Sequence, residues 1–246
     1  MAGEDGGGGS SVSRAIRLVV SDFILSFMWV WSGVLNRVFV FNVLGLADNF
    51  FGESVKCGFT IIVMFFFAYM GKVTGGGTYN PLTLLTGGIS GSFLHFLFNF
   101  CSRIPAQVLG SVVGVKLIIM TWPGIGHGPR LMIDLHQGAL VEGLLTFTIV
   151  SISIALSKNI PGSFYTKNWI SSTSKIALHL LGSDLTGGCM NPASVTGWAF
   201  ARGDHTTKEH LLVYWLAPVE ATMLAMWISR LLSPLIKEEE KKKKSD

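Results

Sequence analysis

The stretch GGGTYNPLT at residues 75–83 returns in altered form as GGCMNPAS at residues 187–194. Each time a glycine cluster leads into an Asn-Pro pair inside strongly apolar sequence. Asn is a favoured helix N-cap, and Pro at the first helical position has a preset φ and no N–H to leave unpaired. Each segment therefore reads as the start of a short helix, over residues 80–98 and 191–201. The glycines ahead of them, Gly75–Gly77 and Gly187–Gly188, permit an extended or left-handed backbone with its carbonyls left free.

The surroundings of these segments set the class of protein. Of 246 residues, 49% are hydrophobic and only 14% charged, with a mean hydropathy of +0.50, which points to a membrane domain rather than a soluble one. Six apolar spans can be drawn, at residues 16–36, 54–71, 103–121, 137–157, 169–186 and 210–232. Residues 1–15 read as a disordered cytosolic tail, 16–232 as the membrane domain, and 233–246 as a basic cytosolic tail. The first span is expected to act as an uncleaved anchor, because the start of the chain lacks a basic stretch and a small-residue cleavage site. The formal net charge of +4 owes much to Lys241–Lys244; basic flanks are ordinary for membrane proteins, and nucleic acid is not an expected partner. Lys and Arg accumulate on the side of the termini, which places both in the cytosol. Cys57, Cys101 and Cys189 are odd in number and widely spaced, so they read as structural thiols rather than a disulfide framework or a metal site.

Each Asn-Pro segment follows two spans and precedes a third, giving repeats at about residues 16–121 and 137–232. An odd number of spans per repeat forces the two copies into opposite orientation. Irregular backbone at membrane depth is tolerated only where it is buried in protein or lines a watery cavity. Two half-helices entering from opposite faces satisfy that condition and bring Asn80 and Asn191 side by side at the midplane. The positive ends of both half-helices then face one point, which disfavours cations there, while the two amides remain able to donate to a neutral molecule. The expected fold is all-α: six transmembrane helices plus two re-entrant half-helices in an inverted repeat.

These residues resemble the aquaporin or major intrinsic protein family, whose paired Asn-Pro-Ala motifs sit on such half-helices. The pore motifs would be Asn80-Pro81-Leu82 and Asn191-Pro192-Ala193; Leu82 in place of Ala adds bulk near the midplane. Asp22 in SDFILSF and Glu142 in VEGLLTF match the acidic residues that hold the re-entrant loops in the family, Asp22 being shorter than the usual Glu. PAQVLGS at 105–111 and VYWLAP at 213–218 are further likenesses, and the plant small basic intrinsic proteins, in their second subgroup, look most similar. The resemblance maps the narrow filter onto His179, Gly188, Ser194 and either Phe59 or Thr60. Ser194 stands where most members carry Arg, so a wider and less cationic filter is expected.

The resemblance implies a passive channel for water and other small neutral solutes, single file through each protomer of a homotetramer. No cofactor or metal is expected, and no nucleophile–base constellation marks an enzyme. Lys243 and Lys244 lie fourth and third from the last residue, like a dilysine signal read by cytosolic retrieval coats. Residence in the endoplasmic reticulum membrane is expected from that pair and from the subgroup. The rival reading is a non-conducting structural or regulatory protein of the same membrane, favoured by Leu82 and the altered filter.

Overall fold

The structure, a computed structural model, describes residues 6–88, 92–158 and 160–243, and among these the regular elements are all helices. The first half runs α1 (Gly6–Val38), α2 (Phe50–Val73), the short α3 (Pro81–Gly88), α4 (Phe93–Phe98) and α5 (Ile104–Thr121). The second runs α6 (Leu135–Lys158), α7 (Phe164–Gly182), the short α8 (Pro192–Arg202), α9 (Lys208–Leu211) and α10 (Ala217–Lys243). A π-helical turn, Asn99–Arg103, joins α4 to α5, and another, Leu212–Leu216, joins α9 to α10. The last long helix of each half is thus wound loosely at the matching place, and such turns commonly mark functional positions. The same order, two long helices, a short one, then a long one, occurs twice.

The repeats interlock. Within each, the first and last long helices pack together, α1 on α5 and α6 on α10. The short helices cross over, α3 packing on α10 and α8 on α5. Small residues allow this closeness: a Cβ at Gly110 would collide with the Phe23 carbonyl, and one at Gly114 with Val30. The spacing of those two glycines is therefore used inside the chain, helix against helix. A Cβ at Gly197 on α8 would sit 2.7 Å from the Ser111 carbonyl oxygen of α5. One apolar cluster joins Val30, Val34, Val115, Ile118 and Trp198; another joins Leu145, Ile149, Met190 and Met226. Ile24, Ile62, Leu140 and Leu144 are exposed on the outside, where lipid would cover them.

Several sequence boundaries move. Residues 6–15, expected as a disordered tail, belong to α1, and residues 233–243, expected as a tail, extend α10. Helix propagation costs little once an adjacent apolar run is helical, and Glu and Lys are good helix formers. The first half-helix ends at Gly88, not 98, because residues 93–98 open the third crossing, an apolar run over Phe93–Thr121. Ser92 caps that run, its side chain accepting from the His95 N–H. Five helices among the described residues are long and apolar enough to cross a membrane. The expected sixth, α7, is 19 residues long and falls short in hydropathy because one of its faces is polar. Lys244 lies outside the described residues.

Candidate functional site

The two half-helices meet at their N-termini. The Asn191 side-chain oxygen accepts from the Ser194 N–H at 3.3 Å, and that of Asn80 from the Leu82 N–H at 3.0 Å. Each amide nitrogen then reaches across to the opposite loop. Asn80 Nδ2 donates to the Met190 carbonyl at 2.8 Å, and Asn191 Nδ2 donates to the Tyr79 carbonyl at 3.2 Å. A side-chain amide has two N–H donors, so this reciprocal crossing leaves one on each Asn for a third party.

The loops in front of the asparagines are held by the two acids, both fully buried. Glu142 accepts the Cys189 N–H at 2.8 Å, the Met190 N–H at 3.0 Å and the Thr186 hydroxyl at 2.7 Å. That grip holds Met190 in the left-handed region at φ 47°, alone in this among the described non-glycine residues. Asp22, one methylene shorter, takes only the Thr78 N–H, at 2.7 Å. Arg103 completes its end: Nε and Nη2 donate to the Asp22 carboxylate at 2.6 and 2.9 Å, and Nη2 also donates to the Gly76 carbonyl at 2.6 Å. Gln107, one turn on, donates to the Thr78 carbonyl at 3.1 Å. In the second half the π-turn residue Tyr214 plays the part of Arg103, its hydroxyl donating to the Thr186 carbonyl at 2.8 Å.

The mapped filter residues gather less uniformly. His179 Nδ1 lies 3.1 Å from the Gly188 carbonyl oxygen. A carbonyl only accepts, so Nδ1 is the donor in this contact. Gly188 has φ +51°, and a Cβ there would collide with the His179 main chain. Its smallness is thus dictated by that close approach as well as being available to widen a filter. Ser194 is half-buried in the first turn of α8. Thr60 bridges Asn36 Nδ2 at 2.8 Å and the Lys56 carbonyl at 2.9 Å, whereas Phe59 meets the Phe39 ring edge-on at 5.2 Å.

A cavity of about 570 Å³ is lined by Asn80, Leu82 and Met190, by Gly77, Thr83 and Ser172, and by the exposed His95. Leu82 is 3% exposed, so its bulk sits in the wall. The polar face of α7 supplies Asn168, Ser171, Ser172 and Lys175 to the lining. Among the described residues no group of three or more His, Cys, Asp or Glu is placed to hold a metal.

The family model described as Major intrinsic protein matches residues 10–229. The chain is a major intrinsic protein. It is 56% identical over 230 residues to a protein of Arabidopsis thaliana named Probable aquaporin SIP2-1, covering 93% of this chain and 97% of that one. It is 48% identical to Aquaporin SIP2-1 of Oryza sativa subsp. japonica, over 91% of this chain and 90% of the relative. Among solved structures the aquaglyceroporin from Plasmodium falciparum matches with a TM-score of 0.68 at 18% identity, covering 91% of this chain and 99% of that one. At that identity the likeness establishes the fold: this major intrinsic protein is a multi-pass membrane protein with the aquaporin-like arrangement.

Two residues of this site escaped the reading of the sequence. Arg103 falls at the edge of a predicted span, where a cation normally reads as an interface anchor. Lys175 lies inside the fifth predicted span, and an intramembrane lysine is by default a functional residue; its spacing from Asn168, Ser171 and Ser172 was the available signal.

Proposed function

We propose that this major intrinsic protein is a passive channel for water and small neutral solutes, which pass each protomer in single file. The crossed asparagine bonds carry the reading: each Asn spends one amide hydrogen on the opposite loop and keeps one for the solute. A water at the midplane accepts from both and is thereby oriented, its own hydrogens turned away from the centre toward its neighbours above and below. The positive ends of α3 and α8 raise the energy of a cation at the same point. His179, Gly188 and Ser194 form the filter on one side of the asparagines, and the α7-lined cavity is the vestibule on the other. Ser194 in place of Arg removes a fixed charge from that filter, which favours neutral solutes larger than water.

Osmotic shrinkage of liposomes holding the purified protein tests this, beside an Asn80→Ala/Asn191→Ala variant. Fast water flux lost in the variant is the expected result; flux no better than empty liposomes, from folded protein, sinks the reading in favour of a closed scaffold. Asn191→Asp places a carboxylate beside the positive helix ends and is expected to admit cations, read as a sodium leak.

Homotetramer formation, cytosolic termini and residence in the endoplasmic reticulum membrane complete the proposal. Lys243 and Lys244 are its retrieval signal, recognised by cytosolic coats. A Lys243→Ala/Lys244→Ala protein is expected to leave the reticulum, and its retention there would remove the signal.

A further inference from the structure

We infer that the α7 side of the pore contains a binding site for a small monovalent anion, centred on the Lys175 ammonium. Asn168, Ser171, Ser172 and Lys175 recur at helical spacing along one face of α7, and all four line the cavity below the asparagine pair. The Lys175 Nζ lies 4.9 Å from the Trp29 ring centroid and 5.5 Å from that of Tyr79. Those rings stack 4.2 Å apart, and Phe67 meets each of them edge-on. The aromatic corner holds the charge in place by cation–π attraction but offers its N–H groups no acceptor. Among the described residues Lys175 has neither a carboxylate partner nor a hydrogen-bond acceptor. Three donors of an ammonium therefore remain to be satisfied.

The rest of the lining agrees in sign. No Asp or Glu lines the cavity among the described residues. Arg103 does, but its charge is matched by Asp22. Two helical turns before Lys175, Asn168 brings a buried Nδ2 with no partner. Asn99, 5% exposed, adds a second amide whose oxygen is unpartnered, and rotation about its last side-chain bond presents the NH2 group instead. Tyr79, which touches the cation, also offers its carbonyl to Asn191, so the site adjoins the midplane. A cleft of one sign with low-dielectric walls concentrates the opposite ion. The ligand class is a compact anion that accepts several hydrogen bonds at once, such as a halide, nitrate or a short carboxylate.

The inference rests on the channel reading only in placing this cavity on the conduction path, and it is tested without flux. Excess chloride NMR line width is measured for the full-length protein in detergent micelles as chloride is titrated, with nitrate as competitor. Wild type is expected to give a saturable excess that nitrate removes. Lys175→Met should lower it at least about threefold and Lys175→Arg should retain it, because the effect follows the charge. Equal broadening in wild type and a folded Lys175→Met overturns the site. If Lys175→Met does not fold, Lys175→Gln replaces it, and a non-saturable wild-type signal overturns the site on its own. Water flux of the same preparation reports separately: Lys175-dependent chloride binding without water flux sinks the channel and leaves the anion site standing.

Discussion

The two re-entrant loops of this protein end in nearly the same place but are held there by different chemistry. In the second half one carboxylate does the work directly: Glu142 receives two backbone N–H groups and a hydroxyl. In the first half Asp22 reaches the loop through the Thr78 N–H alone, and the Arg103 guanidinium adds a second tie, gripping the acid with two nitrogens and the Gly76 carbonyl with one of them. One loop hangs from neutral donors around an anion, the other from an ion pair. The first half has a cation on its π-turn where the other half has the phenol of Tyr214. The backbone position of the pore centre constrains the sequence more tightly than any one side chain does.

Breaking the ion pair gives the largest expected effect. Arg103→Met leaves Asp22 buried and unpaired, and removing one partner of a buried pair costs about 3–5 kcal/mol. Thermal unfolding of the purified protein checks this, and an equally stable variant would mean that Asp22 is reached by water. Glu142→Gln keeps the shape but turns one accepting oxygen into a donor aimed at backbone N–H groups, and a lost buried hydrogen bond of this kind costs about 1–3 kcal/mol. Its loss should be smaller than that of Arg103→Met in the same assay. Asp22→Glu combined with Arg103→Met copies the arrangement of the second half, and it should regain about 1–2 kcal/mol over Arg103→Met alone by letting the acid reach a further loop donor beyond Thr78. No gain would show that the first loop has a path only arginine can serve. Tyr214→Phe removes one hydroxyl donor to Thr186, with an expected loss of about 0.5–1.5 kcal/mol. If Tyr214→Phe proved as damaging as Arg103→Met, the ion pair would have no special standing.

The sequence revealed those parts of the molecule whose causes are local. Asn80 and Asn191 were legible as caps because Pro follows each and glycines precede it; Pro192–Arg202 lies within a residue of the predicted short helix. Glu142 and Asp22 were found as acids in apolar sequence, although the resemblance, not the spacing, assigned them to the loops. The misses came from long-range effects. The apolar Phe93–Phe98 looks the same whether it closes a half-helix or opens a crossing, and only Gly87, Gly88 and the Ser92 cap separate the two. Arg103 reads as a boundary cation until its distance to Asp22, 81 positions earlier, is known. The choice between Phe59 and Thr60 turns on one residue in a glycine loop, which periodicity does not register.

The crossed asparagine bonds also set an order of assembly. Their partners are 110 and 112 positions apart, so a first repeat synthesised alone has no Met190 carbonyl to receive Asn80. Contacts that close such large loops form late, after the local helices whose entropy is already spent. The centre of the pore therefore settles only once both halves have been made.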